Sequence, residues 1–320
     1  MKTVLITGVA GFIGFHTALK LLKQECRVIG VDNLTSYYDV SLKEARLEIL
    51  KKYPNFKFYK ETILNFNALE NIFQEYPDIV IHLAGQPGVQ FGNLYPFEAI
   101  NNNVIAFTYI LELCVKSKVK HLIYASSSSV YGNTTDFSST VLADTNHPVS
   151  VYAATKKCDE VLAHAYSSSF GLKTTGLRFF SVYGPFGRPD MFIYKIVDKF
   201  IKGENITLYN KGNYIRDFTY ITDVVDCIIK SFDLPELYNI ENVGHESPIK
   251  IYDVVYKIHD ILKEKHLLPE NYDLSSHIIL EDKRTWDVIK TSCKGSKFHP
   301  ATNIEKGLNN FINWYNEYYN

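Results

Sequence analysis

Between an apolar run, Lys2 to Thr7, and a helix-length segment reaching Leu22, the chain sets three glycines at a GxxGxxG spacing, in Thr7-Gly8-Val9-Ala10-Gly11-Phe12-Ile13-Gly14. No other feature restricts the fold as much. The first glycine permits a tight turn, the middle one lets backbone approach a pyrophosphate, and the last lets the helix pack close to the sheet. The free N–H groups of the helix N-terminus meanwhile face the anion. A glycine triplet alone is weak, but a strand before it and a helix after it make it a dinucleotide-binding turn. Asp32 follows the next apolar run, Arg27 to Val31, at about the distance where an acidic side chain accepts hydrogen bonds from an adenosine ribose. A carboxylate there repels a 2'-phosphate, and Asn33-Leu34-Thr35-Ser36 contains no Arg or Lys to hold one, so the cofactor expected is NAD rather than NADP.

The same alternation continues. Strand-like runs at Ile79 to Leu83, His121 to Ala125 and Thr174 to Phe179 are separated by helix-length segments such as Ala68 to Phe73 and Ala99 to Val115. Repeated β-α units of this kind predict a Rossmann-type, doubly wound α/β fold with a parallel sheet covered on both faces. The pattern breaks at Val182-Tyr183-Gly184-Pro185-Phe186-Gly187-Arg188-Pro189, a Gly/Pro cluster that continues neither a helix nor a central strand. A smaller C-terminal α/β substrate domain is expected to begin there. The division expected is residues 1–180 plus about 217–243 for the NAD-binding domain, and about 181–216 plus 244–320 for the second. Tyr252 to Leu262 and Ile304 to Tyr318 read as amphipathic helices.

Composition narrows the partners. Lys+Arg 34 against Asp+Glu 35 gives a formal charge of -1 with no basic stripe, which speaks against nucleic acid and for a small molecule. No apolar run reaches the roughly 18 residues of a membrane span, and Met1 to Ile6 enters a strand rather than a signal peptide, so a cytoplasmic location without membrane attachment is expected. Five cysteines, odd in number and without CxxC spacing, point to reduced thiols. No HxxxH or HExxH pair occurs, and no metal is expected.

Tyr152-Ala153-Ala154-Thr155-Lys156 puts a phenol and an ammonium at i and i+4, on one face of a helix. A free tyrosine has a pKa near 10, too high for a base at neutral pH, and a nearby cation stabilises the phenolate. Such pairs are common by chance. Here Ser126-Ser127-Ser128-Ser129 stands at the C-terminal end of the run His121 to Ala125, where ligands gather in open α/β sheets, and a hydroxyl there can hydrogen-bond the substrate oxygen that loses its proton.

Taken in order, TGVAGFIG, VDN, HLAG, ASSSSVYG, YAATKK, LRFFSVYGPFGRPDM and RDFTYI, spread from residue 7 to residue 221, resemble the extended short-chain dehydrogenase/reductases of the NAD-dependent epimerase/dehydratase family. The nearest likeness is to bacterial UDP-glucuronate 4-epimerases, and it continues weakly through Lys297-Phe298-His299-Pro300. The resemblance implies inversion of C4 of a UDP-sugar, UDP-glucuronate to UDP-galacturonate, through a 4-keto intermediate in an isomerase that keeps its NAD. It implies that Tyr152 is the base, that Lys156 holds the nicotinamide ribose and favours the phenolate, and that Ser127 bridges Tyr152 and the sugar O4. Phe12, Ile13, Asn33, Thr62, Ile63, Leu83, Ala84 and Asn103 would join Gly8, Gly11, Gly14, Asp32, Tyr152 and Lys156 around the cofactor. Ser128, Ser181, Arg188 and Arg216 would contact the UDP-sugar, with Arg188 on the loop entering the sugar pocket and Arg216 at the diphosphate. A homodimer, and a place in polysaccharide biosynthesis, are implied as well.

Two departures stand out. Thr62 occupies the place where the family has an aspartate against the adenine, and Leu280-Glu281-Asp282-Lys283-Arg284-Thr285-Trp286 replaces a PGDV-like turn, leaving Arg284 as the residue able to reach the diphosphate. Among relatives, 4,6-dehydratases and decarboxylases resemble one another in an acidic residue where this chain has Ser129, and the dehydratases carry an aspartate at the place of Ser128. Lyase chemistry therefore lacks its acid, and a 4-epimerase of another UDP-hexose or UDP-N-acetylhexosamine is the main alternative.

Overall fold

The computed structural model describes residues 1–133, 140–234, 236–282, 288 and 290–319. The chain runs β1 (Thr3–Thr7), α1 (Phe12–Lys23), β2 (Arg27–Asp32), α2 (Val40–Leu50), β3 (Phe56–Lys60), α3 (Phe66–Phe73) and β4 (Ile79–His82). It continues through α4 (Val89–Leu94), α5 (Pro96–Ile100), α6 (Ala106–Lys116), β5 (His121–Ser127), α7 (Val151–Phe170) and β6 (Thr174–Phe179). Then come β7 (Ser181–Tyr183), α8 (Phe192–Lys202), β8 (Ile206–Leu208), β9 (Ile215–Arg216), β10 (Phe218–Tyr220), α9 (Ile221–Lys230) and β11 (Tyr238–Val243). β12 (Ile249–Lys250), α10 (Ile251–Glu264), α11 (Leu274–His277), β13 (Ile278–Leu280) and α12 (Ile304–Tyr319) complete it.

Seven strands form one parallel sheet in the order β11-β6-β5-β4-β1-β2-β3. Strand residues alternate between two cores. Val4 and Ile6 of β1 pack with α1, α9 and Leu47 and Leu50 of α2, whereas Leu5 packs on the other face with Leu69 of α3 and Phe107 and Ile110 of α6. Apolar burial on both faces is what the uninterrupted strand runs predict. The order reverses between β1 and β4, which opens a crevice at the carboxyl ends of these strands. Beyond β6, three short two-stranded pairings, β7 with β10, β9 with β12 and β8 with β13, pack with α8, α10 and α12 around Val197, Phe200, Val254, Ile258 and Phe311. No helix among the described residues is long and apolar enough to cross a membrane.

One segment differs from the sequence expectation, and one helix had no expectation to meet. The helix read as Ala99 to Val115 is α5 and α6 joined by a π-helical turn, Asn101–Ile105, a widening that occurs mostly at functional sites. Helix α2 lacks a clear apolar period because Lys43 and Arg46, both buried, share its inward face with Leu42, Leu47 and Leu50.

Candidate active site

The crevice is a cavity of about 570 Å³ walled by the glycine turn, the ends of β2, β4 and β5, the start of α7 and the segment after β6. On the cofactor side, Gly8 takes φ +71° and donates its N–H to Val31 O at 2.8 Å. A Cβ at Gly8 would lie 2.8 Å from the Ala84 amide nitrogen, and one at Gly14 would lie 2.1 Å from Gly8 O. Only glycine lets the turn, the β4 loop and α1 come this close. Asp32, almost fully buried, accepts from Ala10 N at 3.0 Å with Oδ2 and from Leu34 N at 2.9 Å with Oδ1, so the carboxylate is fixed beside the turn.

A cation does stand near it. Lys43 reaches the cavity wall from α2, its Nζ donating to Thr35 O at 2.8 Å and Thr35 Oγ1 at 3.0 Å. Burial lowers its pKa, with Asp32 pulling the other way. The absence of Lys or Arg from residues 33–36 therefore does not leave this corner without positive charge, because a helix eight residues downstream supplies it. Arg46, one helical turn further on, is fully buried. It donates to Ala10 O at 2.7 Å, to the Tyr38 hydroxyl at 2.6 Å and to Phe186 O at 2.7 Å, tying the glycine turn to the loop that precedes Arg188.

Along the far wall, α7 starts at Ser150, whose hydroxyl accepts from Ala153 N at 3.1 Å. Tyr152 and Lys156 both face the cavity. Thr155 lies between them, donating to Tyr152 O at 2.8 Å and accepting from Asn103 Nδ2 at 3.0 Å. Asn103 itself stands behind the wall, its Oδ1 accepting from Gln86 N at 2.7 Å and its Nδ2 donating to Gln86 O at 3.1 Å. The π-helical turn thus pins the β4 loop to α7. The four serines at the end of β5 divide their work. All four line the cavity, but Ser126 Oγ is committed to Glu160 Oε1 at 2.7 Å, whereas Ser127 Oγ accepts from Ser129 N at 3.1 Å.

Lys156 has a partner that the spacing argument did not single out. Its Nζ lies 3.1 Å from Asp159 Oδ2, with the two side chains 7% and 1% exposed. Burial pushes the Asp159 carboxyl well above the ordinary carboxylate range despite the ammonium beside it. For Lys156, burial opposes the charge but Asp159 and Tyr152 outweigh it and keep it an ammonium.

On the side away from the glycine turn the wall is Phe179, Phe180, Ser181, Arg188, Asp190, Met191 and Arg216. Arg188 Nε donates to Asp190 Oδ1 at 2.9 Å, and the guanidinium lies 5.9 Å from the Tyr37 ring centroid. Burial raises the Asp190 pKa, but Arg188 outweighs it and holds the carboxyl below its ordinary range. Arg216 donates to Ile215 O at 2.8 Å and Val288 O at 2.9 Å, and it borders a second cavity of about 570 Å³ lined by Tyr209, Tyr214 and Phe218. Seventeen of the residues expected at the site stand on the first cavity: Gly8, Gly11, Phe12, Ile13, Gly14, Asp32, Asn33, Ile63, Leu83, Ala84, Ser127, Ser128, Tyr152, Lys156, Ser181, Arg188 and Arg216. Thr62 is not on the wall; Glu61 and Ile63 are, and the Thr62 hydroxyl instead accepts from Leu64 N at 3.3 Å. Arg284 lies outside the described residues.

Residues 4–244 match the NAD dependent epimerase/dehydratase family. The chain belongs to this family. Across 99% of its length, the epimerase/dehydratase chain is 40% identical to a UDP-glucuronate 4-epimerase of Thermodesulfobacterium geofontis, of which the match covers 97%. Its fold superposes with a TM-score of 0.89 on UDP-glucuronic acid 4-epimerase from Bacillus cereus, solved in complex with UDP-glucuronic acid and NAD, at 28% identity over 99% of this chain and 100% of that one. A TM-score of 0.88 at 26% identity relates it to UDP-glucose 4-epimerase from Thermotoga maritima, solved with UDP-glucose, over 99% and 100% of the two chains. The residues present fit NAD: Gly8 and Gly14 let the turn and the β4 loop close up at the N-terminus of α1, and the Asp32 carboxylate is held at the end of β2.

Proposed function

We propose that this chain is an NAD-dependent UDP-sugar 4-epimerase acting on UDP-glucuronate to give UDP-galacturonate. One observation carries the reading. Tyr152, Lys156 and Ser127 share a single cavity with the glycine turn on one side and Arg188 on the other. The likeness to UDP-glucuronate 4-epimerases over nearly the whole chain supports it.

Gly8, Gly11 and Gly14 would hold the pyrophosphate, Asp32 the adenosine ribose and Lys156 the nicotinamide ribose. NAD, when bound, supplies reversible hydride acceptance at the sugar C4. Tyr152 takes the proton of the 4-hydroxyl, with Lys156 favouring its phenolate, and Ser127 passes a hydrogen bond between the phenol and O4. The 4-keto sugar then turns within the cavity, and Tyr152 returns the proton after its opposite face has been reduced. Holding the ketone within the cavity shields it from water and from escape.

The carboxylate of the substrate needs restraint. A glucuronate oxidised at C4 is a β-keto acid, and it loses CO2 when its C–CO2 bond stands perpendicular to the ketone plane. Arg188, with Ser181 as a second donor, grips the carboxylate and opposes that rotation. Ser128 and Ser129, on the same wall, offer no acid for elimination, which disfavours the lyase reading.

Residues 1–180 with 217–243 form the cofactor-binding part of this reading, and 181–216 with 244–320 the UDP-sugar part. Exposed apolar side chains at Phe97, Ile100, Ile105 and Val161 suit a homodimer packed through α5, the π-helical turn and α7. A cytoplasmic role in polysaccharide biosynthesis is part of this proposal, since the product is an activated uronate suited to glycosyl transfer. Incubation with a panel of UDP-sugars, followed by proton NMR of the anomeric region, tests the assignment. Conversion of UDP-glucuronate to UDP-galacturonate is expected; preference for a neutral UDP-sugar, or release of CO2, overturns it.

A further inference from the structure

Helix α7 carries two acids that compete for one cation. Tyr152 lies one turn before Lys156, and Asp159 lies one turn after it. The Asp159 Oδ2 to Lys156 Nζ distance is 3.1 Å, and the other carboxyl oxygen, Oδ1, is buried without a hydrogen-bond partner. A carboxylate in the middle of a packed helix is ordinarily satisfied on both oxygens, because an unpaired buried charge is strongly destabilised.

Among the described residues around this group, taken element by element, the two further cations are engaged by Glu160: Lys157 on α7 lies 3.5 Å from its Oε2, and Arg178 is bound to the same carboxylate. On α7 itself Cys158 and Glu160 flank Asp159. From β5 comes Tyr124, whose burial drives its hydroxyl far above the usual range. From β4 comes His82, fully buried and held at about 3 by burial and by Lys156, so it is neutral. The π-helical turn offers the neutral Asn103 amide, and Tyr37 from the loop after β2 faces Tyr152. From β6 comes Arg178, which is bidentate on Glu160, Nε to Oε1 and a terminal nitrogen to Oε2 at 2.8 Å each. From β11, Tyr238 donates to Glu160 O at 3.2 Å.

We infer that Asp159 is a positioning residue for the proposed acid-base step: its carboxyl and the Tyr152 phenol share the single Lys156 ammonium, so that the Asp159 charge limits how far Lys156 favours the Tyr152 phenolate. The 4-hydroxyl proton itself passes only between the sugar O4 and Tyr152, and Asp159 exchanges none of it. Asp159 is not on the cavity wall and acts only through Lys156, which is.

This inference rests on the epimerase reading for its chemistry, but its test does not need a substrate. The NAD-loaded protein is titrated with base while phenolate absorbance is followed, and the same titration of Tyr152→Phe is subtracted to isolate one of the 23 tyrosines. Asp159→Asn, which keeps the shape and removes the charge, should move the isolated transition to lower pH by about one unit or more, the size expected when a competing charge near an ion pair is removed. The acid limb of the kcat/KM profile should move with it. Asp159→Glu, which retains the carboxylate, should behave like the parent and controls for disturbed packing. An unchanged Tyr152 transition in folded, NAD-loaded Asp159→Asn overturns the inference. A protein that shows the shift yet converts no UDP-sugar overturns the epimerase reading instead.

Discussion

Arg188 is gripped by a carboxylate of its own chain: its Nε stands 2.9 Å from Asp190 Oδ1, two residues along the same loop. A substrate carboxylate entering the cavity meets a guanidinium that is already oriented, and it competes with Asp190 for it. Arg188→Ala should therefore lower kcat/KM for UDP-glucuronate by about 2 kcal/mol, the size of a lost charged hydrogen bond, with little change for UDP-glucose. Asp190→Asn should lower KM for the acid alone. Equal losses on both sugars would remove the glucuronate assignment and leave 4-epimerisation standing.

Asp32 and Lys43 set opposite charges on one wall of the cavity, at the corner proposed for the adenosine ribose. Asp32→Ala should weaken NAD binding and narrow the preference over NADP, since the ribose acceptor and the repulsion of a 2'-phosphate vanish together while Lys43 remains. The double variant Asp32→Ala/Lys43→Ala should lose the gain in NADP affinity. Calorimetry with both dinucleotides decides; a parent-like preference in Asp32→Ala would make Asp32 a turn residue only.

Tyr152→Phe removes one hydroxyl from the cavity wall and nothing from the cofactor cradle. Turnover should fall by about 10² to 10⁴, the usual contribution of a general acid-base group, with folding and NAD binding unchanged. More than about a tenth of parental turnover in this variant would assign the proton to another residue.

Stability should fall on the acid side. Burial, the largest effect in each, holds His16 and His121 at about 4 and His82 at about 3. The unfolded imidazoles titrate near 6.5, so the contribution of these groups is complete above that pH and is lost as pH falls toward 4. Asp159, shifted upward, has the opposite sign and offsets part of the loss. His121→Asn should reduce the slope of unfolding free energy between pH 5 and 6 by about 1.4 kcal/mol per pH unit, one proton's worth. Identical urea midpoint profiles for variant and parent would contradict it.

The parts of the site visible in the sequence are those fixed by local spacing. Gly8, Gly11 and Gly14 act within one turn, Asp32 ends a strand, and Tyr152 and Lys156 are one helical turn apart. What escaped is made by reach across the chain. Arg46 meets Phe186 O from 140 residues away, and its inward charge masks the helical period of α2. Asp159 reads as one more charge on a solvated helix face until its burial is known. Four consecutive serines cannot reveal that Ser126 is taken by Glu160 and its neighbours are not. The π-helical turn has no compositional mark, so Asn103 was placeable only by resemblance.

One guanidinium, that of Arg46, joins the Ala10 carbonyl in the glycine turn to the Phe186 carbonyl in the loop before Arg188. Linkage is reciprocal: whatever settling of that loop adds to dinucleotide affinity, the dinucleotide returns as order in the loop. The two halves of the cavity are thereby coupled in both directions: a ligand that orders one raises the affinity of the other by the same factor, whichever arrives first.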